Sequence, residues 1–268
     1  MYIMITNNEI DDFIQKIPPT PKVLKDTITL LNAGELQKAA QMAEKDLALK
    51  SYLKQIVNKP IYGFANEVSD IGQIFGILGL SLSTQTVYNY MVNLLSPAKW
   101  SVFKLNEQLF YTLQASLSKK WEQILKHLNI KDNNIYLAIS LLPSSIIIAD
   151  ALFKTHIEDV KLLQETKALD YNTILFRLSN RSLFDICEKI VDIWEMNEVI
   201  KDLVQSSSGV KKSTNKDINH LAKWMHLLLF YELSQGIFVE AGLNDFIDFQ
   251  IDFVSDIYDE FANIMEIS

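Results

Sequence analysis

The sequence predicts an all-α protein, and three observations carry that reading. Apolar residues recur at helical spacing along most of the chain. Turn formers are scarce, with eight Gly and six Pro in 268 residues, where average usage is roughly 7% and 5%. A β-rich chain would need a turn residue every few positions, so the scarcity favours helices with few sharp reversals. Finally, 49% hydrophobic and 22% charged residues supply a real core for one or two domains. The same figures exclude a disordered chain, and the single cysteine, Cys187, excludes an internal disulfide or a cysteine-based zinc site.

Taken in order, Ile17-Pro18-Pro19-Thr20-Pro21 is an extended entry, because each proline removes a donor and restricts the residue before it. Val23 to Leu31 reads as a helix, and Asn32-Ala33-Gly34 breaks it. In 36–57, Leu36, Ala39, Ala40, Ala43, Leu47, Ile56 and Val57 follow the i, i+3, i+4 rule. Lys59-Pro60-Ile61-Tyr62-Gly63 is a second break. Ser69 is the expected N-cap of a helix through Leu78, which Leu78-Gly79-Leu80 ends or turns. Ser96-Pro97-Ala98 marks a boundary between an N-terminal helical lobe, 1–97, and a helical bundle, 98–268.

Beyond the boundary, helical patterns cover about 102–128, 133–154, 158–169, 171–179, 182–194 and 196–205. Ser206-Ser207-Ser208-Gly209 is a loop, and 210–217 is polar and expected to be exposed. A strongly apolar helix runs over 217–235. The last helix is expected over 243–265. Its acids Asp245, Asp248, Asp252, Asp256 and Asp259 form one stripe, opposite Leu243, Phe246, Ile247, Phe253, Val254, Ile257, Phe261 and Ile264. No internal repeat or low-complexity tract is present.

The net charge is −8, and the excess is local. Residues from Glu240 onward hold eight acids and no Lys or Arg, so residues 1–239 hold 33 − 8 = 25 acids against 25 bases. A neutral body with an acidic end lacks the basic footprint of a nucleic-acid binder. The longest apolar stretch, Ile135 to Phe153, is interrupted by Ser140, Pro143, Ser144, Ser145 and Asp150, which argues against membrane insertion. Met1 to Asp12 is polar and acidic, unlike a secretory signal. The expected location is the cytoplasm.

A search for chemistry returns little. The histidines are His127, His156, His220 and His226; none has a second His at i+4, and no His-Asp dipeptide occurs. They read as surface or capping residues. Cys187 lies inside a helical pattern and reads as a core thiol. The sequence contains no Gly-x-Ser-x-Gly elbow and no phosphate-binding glycine loop. The acidic stripe reads as a solvated face, with docking of a basic partner as the alternative. Trp121, Trp194 and Trp224 sit in helical patterns and are expected in the core, with Trp100 at the seam between lobes.

Residues 17–80 carry one specific pattern: Ile17-Pro18-Pro19-Thr20-Pro21, then Ala43-Glu44-Lys45-Asp46-Leu47-Ala48-Leu49, Leu53, Val57-Asn58-Lys59-Pro60-Ile61-Tyr62-Gly63, Ser69, Ile74 and Leu78-Gly79-Leu80. In order and spacing this resembles the HD-related output domain (HDOD) family. That family's pattern has leucine-proline-proline-x-proline, aspartate-proline-x-leucine, asparagine-serine-x-x-tyrosine-glycine and a closing leucine-glycine. Leu47 departs from it where proline is usual, and Lys59 where serine is usual. Pro18, Pro19, Pro21, Asp46, Asn58, Tyr62, Gly63 and Gly79 are motif positions for which structural roles are expected: Asn can cap a helix end and Gly can take positive φ.

Residues 100–235 look like the family's second half, a bundle related to the HD phosphohydrolases. In those enzymes a histidine, a later His-Asp pair and further acids hold a metal that activates water. The resemblance puts the first position on Tyr111 and Thr112, the pair on Pro143 and Ser144, and a later histidine site near Gln205-Ser206-Ser207. None supplies a metal ligand. The resemblance therefore implies a non-catalytic bacterial signalling protein without cofactor or metal. With no cyclase, phosphodiesterase or receiver module in the 268 residues, it would meet signalling partners in trans. Two alternatives stand beside it: a diverged metal-dependent HD-type phosphohydrolase with rebuilt ligands, and a nucleotide-binding regulator of the cyclic dinucleotide kind, which no arginine cluster supports.

Overall fold

A computed structural model describes residues 4–15, 22–58, 64, 66–193, 196–244 and 246–267. Among the described residues the chain is all-α, with sixteen helices and no strand. It forms two compact units, residues 18–95 and residues 1–17 with 96–268.

The smaller unit contains α2 (Lys22–Asn32), α3 (Leu36–Ala43), α4 (Leu47–Val57) and α5 (Ile71–Leu95). Helix α5 packs against the other three. Its first half buries Ile71, Ile74, Phe75 and Leu78, the i, i+3, i+4, i+7 face of an amphipathic helix. The helix bends at Gly79, whose φ of 70° and ψ of 177° lie outside the helical region. A Cβ there would meet no neighbour within 4 Å, so the need for glycine is conformational rather than steric. The N-cap falls one residue later than the sequence suggests: the Gln73 N–H donates to Oδ1 of Asp70, not to Ser69.

The apolar pattern over 36–57 is interrupted at Asp46. Its carboxylate accepts from the Ala48 and Leu49 N–H groups at 3.0 Å each and starts α4 afresh. Leu47 then becomes the first residue of α4 and is 81% exposed, so it is no core position.

The larger unit begins with α1 (Asn7–Gln15), which the sequence reading placed in the first lobe. The Met4 and Ile5 N–H groups both donate to the Leu178 carbonyl. Ile5, Ile10 and Ile14 are buried. Lys189 reaches Asp11 at 2.6 Å, and His156 reaches Glu9 at 3.0 Å. These contacts draw the N-terminal segment to the bundle, whose second chain segment starts at Ser96.

The rest of the unit comprises α6 (Glu107–His127), α7 (Asn133–Ala138), α8 (Leu141–Thr155), α9 (Ile157–Lys167), α10 (Tyr171–Ser179), α11 (Leu183–Ile193), α12 (Glu198–Ser206), α13 (Lys216–Leu233), α14 (Gly236–Glu240), α15 (Ile251–Val254) and α16 (Tyr258–Ile264). The pattern over 133–154 is two helices. Pro143 is the third residue of α8, where its missing N–H costs no helical bond, but the helix cannot continue back through it. Apolar Ile135–Thr155 has mean hydropathy 1.9 in its richest window, and 94% of that window is buried inside the protein. It is the core strut of the unit. Residues 100–106 are not helical, contrary to the expected start near 102; Trp100 packs there on Phe103 and Phe110 within this unit.

The expected helix over 243–265 is also broken. Residues 246–250 are irregular, and α15 and α16 are short. Phe246 and Ile247 are both buried although adjacent, and tertiary contact there overrides the helical pattern. The apolar face nevertheless holds: Leu243, Phe246, Ile247, Val254, Ile257 and Phe261 are buried. The acids do not form one free stripe. Asp256 pairs with Lys223 at 2.6 Å, which holds its carboxyl below the usual range, and Asp248 accepts from the Gln250 side chain. Asp245 and Trp194 lie outside the described residues.

Leu47 offers a direct test. Proline is favoured at the first helical position, and Asp46 already has the extended φ of −106° and ψ of 107° that a following proline requires. Leu47→Pro should raise stability by about 0.4–1 kcal/mol, chiefly by restricting the unfolded chain. Urea unfolding of both proteins measures this; a loss of stability would contradict the assigned start of α4.

Candidate functional site

Of the motif positions in the smaller unit, Pro18, Pro19, Pro21, Tyr62 and Gly63 lie outside the described residues. The other three have structural work. Asp46 caps α4, and Gly79 bends α5. Asn58 ends α4 and reaches forward: its Nδ2 donates to the Lys54 and Val68 carbonyls at 2.9 and 2.8 Å, while its Oδ1 accepts from the Val68 N–H at 2.8 Å. One side chain thus imitates a backbone pairing and clamps the chain just before α5.

In the larger unit, the positions expected from the resemblance to match an HD metal centre make local hydrogen bonds or are buried. Thr112 donates its hydroxyl to the Gln108 carbonyl one turn back, and Tyr111 is half-buried beside it on α6. Pro143 and Ser144 are buried in α8, and the Ser144 hydroxyl donates to the Leu141 carbonyl. Ser207 is buried and donates to Leu203. Among the described residues no group of three or more His, Cys, Asp or Glu side chains could hold a metal ion. Cys187 is a core thiol: it donates weakly to the Leu141 carbonyl, and burial pushes its pKa up to about 12.

The larger unit also carries a concavity away from these positions. A cavity of about 590 Å³ opens between α10, α11, the loop after α12 and residues 246–249. Its apolar wall is Phe176, Phe184, Phe246, Ile247 and Phe249. Its polar wall holds four carboxylates, Asp170, Asp185, Glu188 and Asp248, and a single base, Lys211. Lys211 Nζ is 2.9 Å from Glu188 and 3.6 Å from Asp185. Asp170 is occupied in capping α10 through the Thr173 N–H and hydroxyl, and Asp185 accepts from the Ser182 N–H and hydroxyl.

Sequence reasoning placed all four histidines on the surface or at caps. His127 and His220 are exposed and His156 is half-buried, but His226 is fully buried and is the correction. Its Nδ1 lies 2.8 Å from the Ser207 carbonyl, and its Nε2 lies 3.1 Å from the Gln250 N–H. A carbonyl can only accept, so Nδ1 carries the proton and Nε2 accepts; the imidazole is neutral. Burial lowers its pKa, against smaller opposing effects of the Ser207 carbonyl and Asp248. Phe249 stacks on the ring and Phe253 meets it edge-on, each at 5.7 Å. His226 therefore ties the loop after α12 to the segment at 250, the two chain stretches that flank the cavity. Gly209 lets them close: its φ is +74°, and a Cβ there would sit 2.8 Å from Gln250 Cγ.

The class this geometry defines is an all-α protein of two helical units. The HDOD domain family model matches residues 17–209, well over half of the chain, and the protein belongs to the HDOD family. None of the curated proteins compared with the chain matches it. Two solved structures share the fold. One is an HDOD domain protein of unknown function from Geobacter sulfurreducens, with TM-score 0.61, 15% identity, and 97% of each chain covered. The other, from Marinobacter aquaeolei VT8, has a proposed role in signal transduction; TM-score is 0.60 and identity 16%, covering 99% of this chain and 66% of that one.

Two predictions follow from the clamps. Asn58→Asp keeps the acceptor but sets a carboxylate against two carbonyls, and should cost about 1–3 kcal/mol of stability; chemical denaturation of the variant measures it. For His226, the folded pKa lies below the ordinary 6.5, so the unfolded chain binds the proton more tightly. The contribution is complete above pH 6.5 and is lost as pH falls below it. His226→Phe keeps the ring but strands the Ser207 carbonyl and Gln250 N–H. It should lower stability at pH 7.5 and flatten the decline of melting temperature between pH 6.5 and 5. An unchanged slope would remove His226 as its source.

Proposed function

We propose that this protein is a non-catalytic signalling module of the cytoplasm, which acts by recognising a ligand or a protein partner rather than by turning over a substrate. The observation that carries the reading is the state of the HD-type positions in a member of the HDOD family. Pro143 has no donor atom, Ser144 is buried with its hydroxyl committed to Leu141, and Thr112 is bonded to its own helix. A water-activating metal needs several imidazole or carboxylate ligands with an open position, and rebuilding such a set here requires replacing buried core residues. The signalling role is supported by the family and by the proposed role of the Marinobacter relative. The acidic balance of the chain supports a partner other than nucleic acid.

The test is an assay of the purified chain loaded with manganese, iron or magnesium, using a chromogenic phosphodiester and cyclic dinucleotides as substrates. Turnover at the buffer level and no retained metal after dialysis are the expected results. Metal-dependent hydrolysis that disappears in chelator would replace this reading with the phosphohydrolase.

A further inference from the structure

We propose that the cavity between α10, α11 and residues 246–249 binds an organic cation, an amine or guanidinium group carried on an apolar body. This deepens the ligand-recognition reading above and rests on it. The volume, about 590 Å³, suits a small molecule or one large side chain. Four phenylalanine rings, Phe176, Phe184, Phe246 and Phe249, line it. Phe246 is buried and fixed from behind, 4.9 Å from Phe103, and Phe249 is braced by Phe230 at 4.0 Å. Phe176 is 49% exposed and Val210 76% exposed, so apolar surface continues to the rim where an occupant would cover it.

Charge decides which occupant fits. Four carboxylates against one ammonium leave the lining with a formal charge of 1 − 4 = −3. An anionic ligand would face four carboxylates, with its only cation, Lys211, already held by Glu188 and Asp185. A cation meets the reverse. It can pair with Asp248, which accepts from the neutral Gln250 amide, and with Glu188 in place of Lys211. Its apolar body can lie on the ring faces, and its charged group gains cation–π attraction where it meets one. Lys211 already occupies this role: it is an ammonium on an apolar stem, seated on two cavity acids from a loop.

The probes are tyramine and the capped dipeptide phenylalanyl-arginine amide, titrated calorimetrically into the full chain, with phenethyl alcohol and phenylacetate as neutral and anionic controls. Saturable binding of either cation, weakened by salt and absent for both controls, is expected. Tighter binding of tyramine assigns a free metabolite, and tighter binding of the peptide assigns a partner's side chain. Glu188→Gln and Asp248→Asn should each weaken the cation about five- to tenfold, the worth of one partly exposed charge pair, while the exposed Asp259→Asn should not. Lys211→Met distinguishes this site from general damage, because removing the competing ammonium should tighten cation binding several-fold. Equal binding of the neutral control, no saturable binding of either cation, or weaker binding in Lys211→Met would overturn the proposal. Such a failure leaves the non-catalytic reading to its own assay, since that depends on turnover and retained metal rather than on this cavity.

Discussion

The larger unit is organised around one buried carboxylate. Asp150 is 2% exposed in the middle of α8. It accepts from the Ser101 N–H at 2.9 Å, the Val102 N–H at 2.8 Å and the Phe103 N–H at 3.3 Å. A charge at that depth persists only where its lone pairs are met, and three successive backbone donors meet them. The reciprocal effect is on the chain: residues 101–103 have no helix to absorb their N–H groups, and the carboxylate replaces one. Phe103 is thereby fixed, and its ring touches Phe153, Tyr171 and Phe246 at 6.2, 5.2 and 4.9 Å. Tyr171 stacks on Phe246 in turn, with planes 9° apart. The position of the cavity's inner wall therefore descends from a carboxylate on the far side of the aromatic cluster.

Most of the helices were legible from spacing because amphipathic burial sets both the pattern and the packing. Residues 171–179 are helical over the expected span, and 182–194, 196–205 and 217–235 differ from α11, α12 and α13 by a residue or two at their ends. The failures occur where a polar side chain or a proline outranks periodicity. Asp46 restarts the helix inside an unbroken apolar pattern. Pro143 separates α7 from α8. Over 243–265 the apolar face is right but the path is not, because the Gln250 N–H is claimed by His226 instead of by its own helix. Asp150 looked like an interruption of an apolar stretch, and it is the anchor of a loop 47–49 residues away in sequence. Long-range polar satisfaction leaves no periodic trace, so spacing alone could not find it.

The site divides in the same way. The family pattern was readable in the smaller unit, and its described members Asp46, Asn58 and Gly79 are explained by a cap, a clamp and a bend. The cavity was not readable. Its lining comes from four separate stretches between Asp170 and Phe249, none carrying a motif, and its acids look like ordinary surface residues in sequence. His226 gave one faint signal, an imidazole inside the most apolar stretch of α13, where a side chain with two polar atoms must find partners on both sides.

The relation between His226 and the cavity has an energetic consequence. The His226 imidazole joins the loop after α12 to the segment at 250. An occupant of the cavity touches Gln205, Ser208 or Lys211 on one side and Phe246 or Phe249 on the other, so it bridges the same two stretches from outside. Each bridge lowers the ordering cost left for the second. An occupant of the proposed site that binds only the folded arrangement would stabilise it by an amount set by its concentration relative to its dissociation constant. On the proposed reading, a module without chemistry of its own would transmit a signal through this linkage, with the exposed Val210 and Lys211 of the loop beside the occupant.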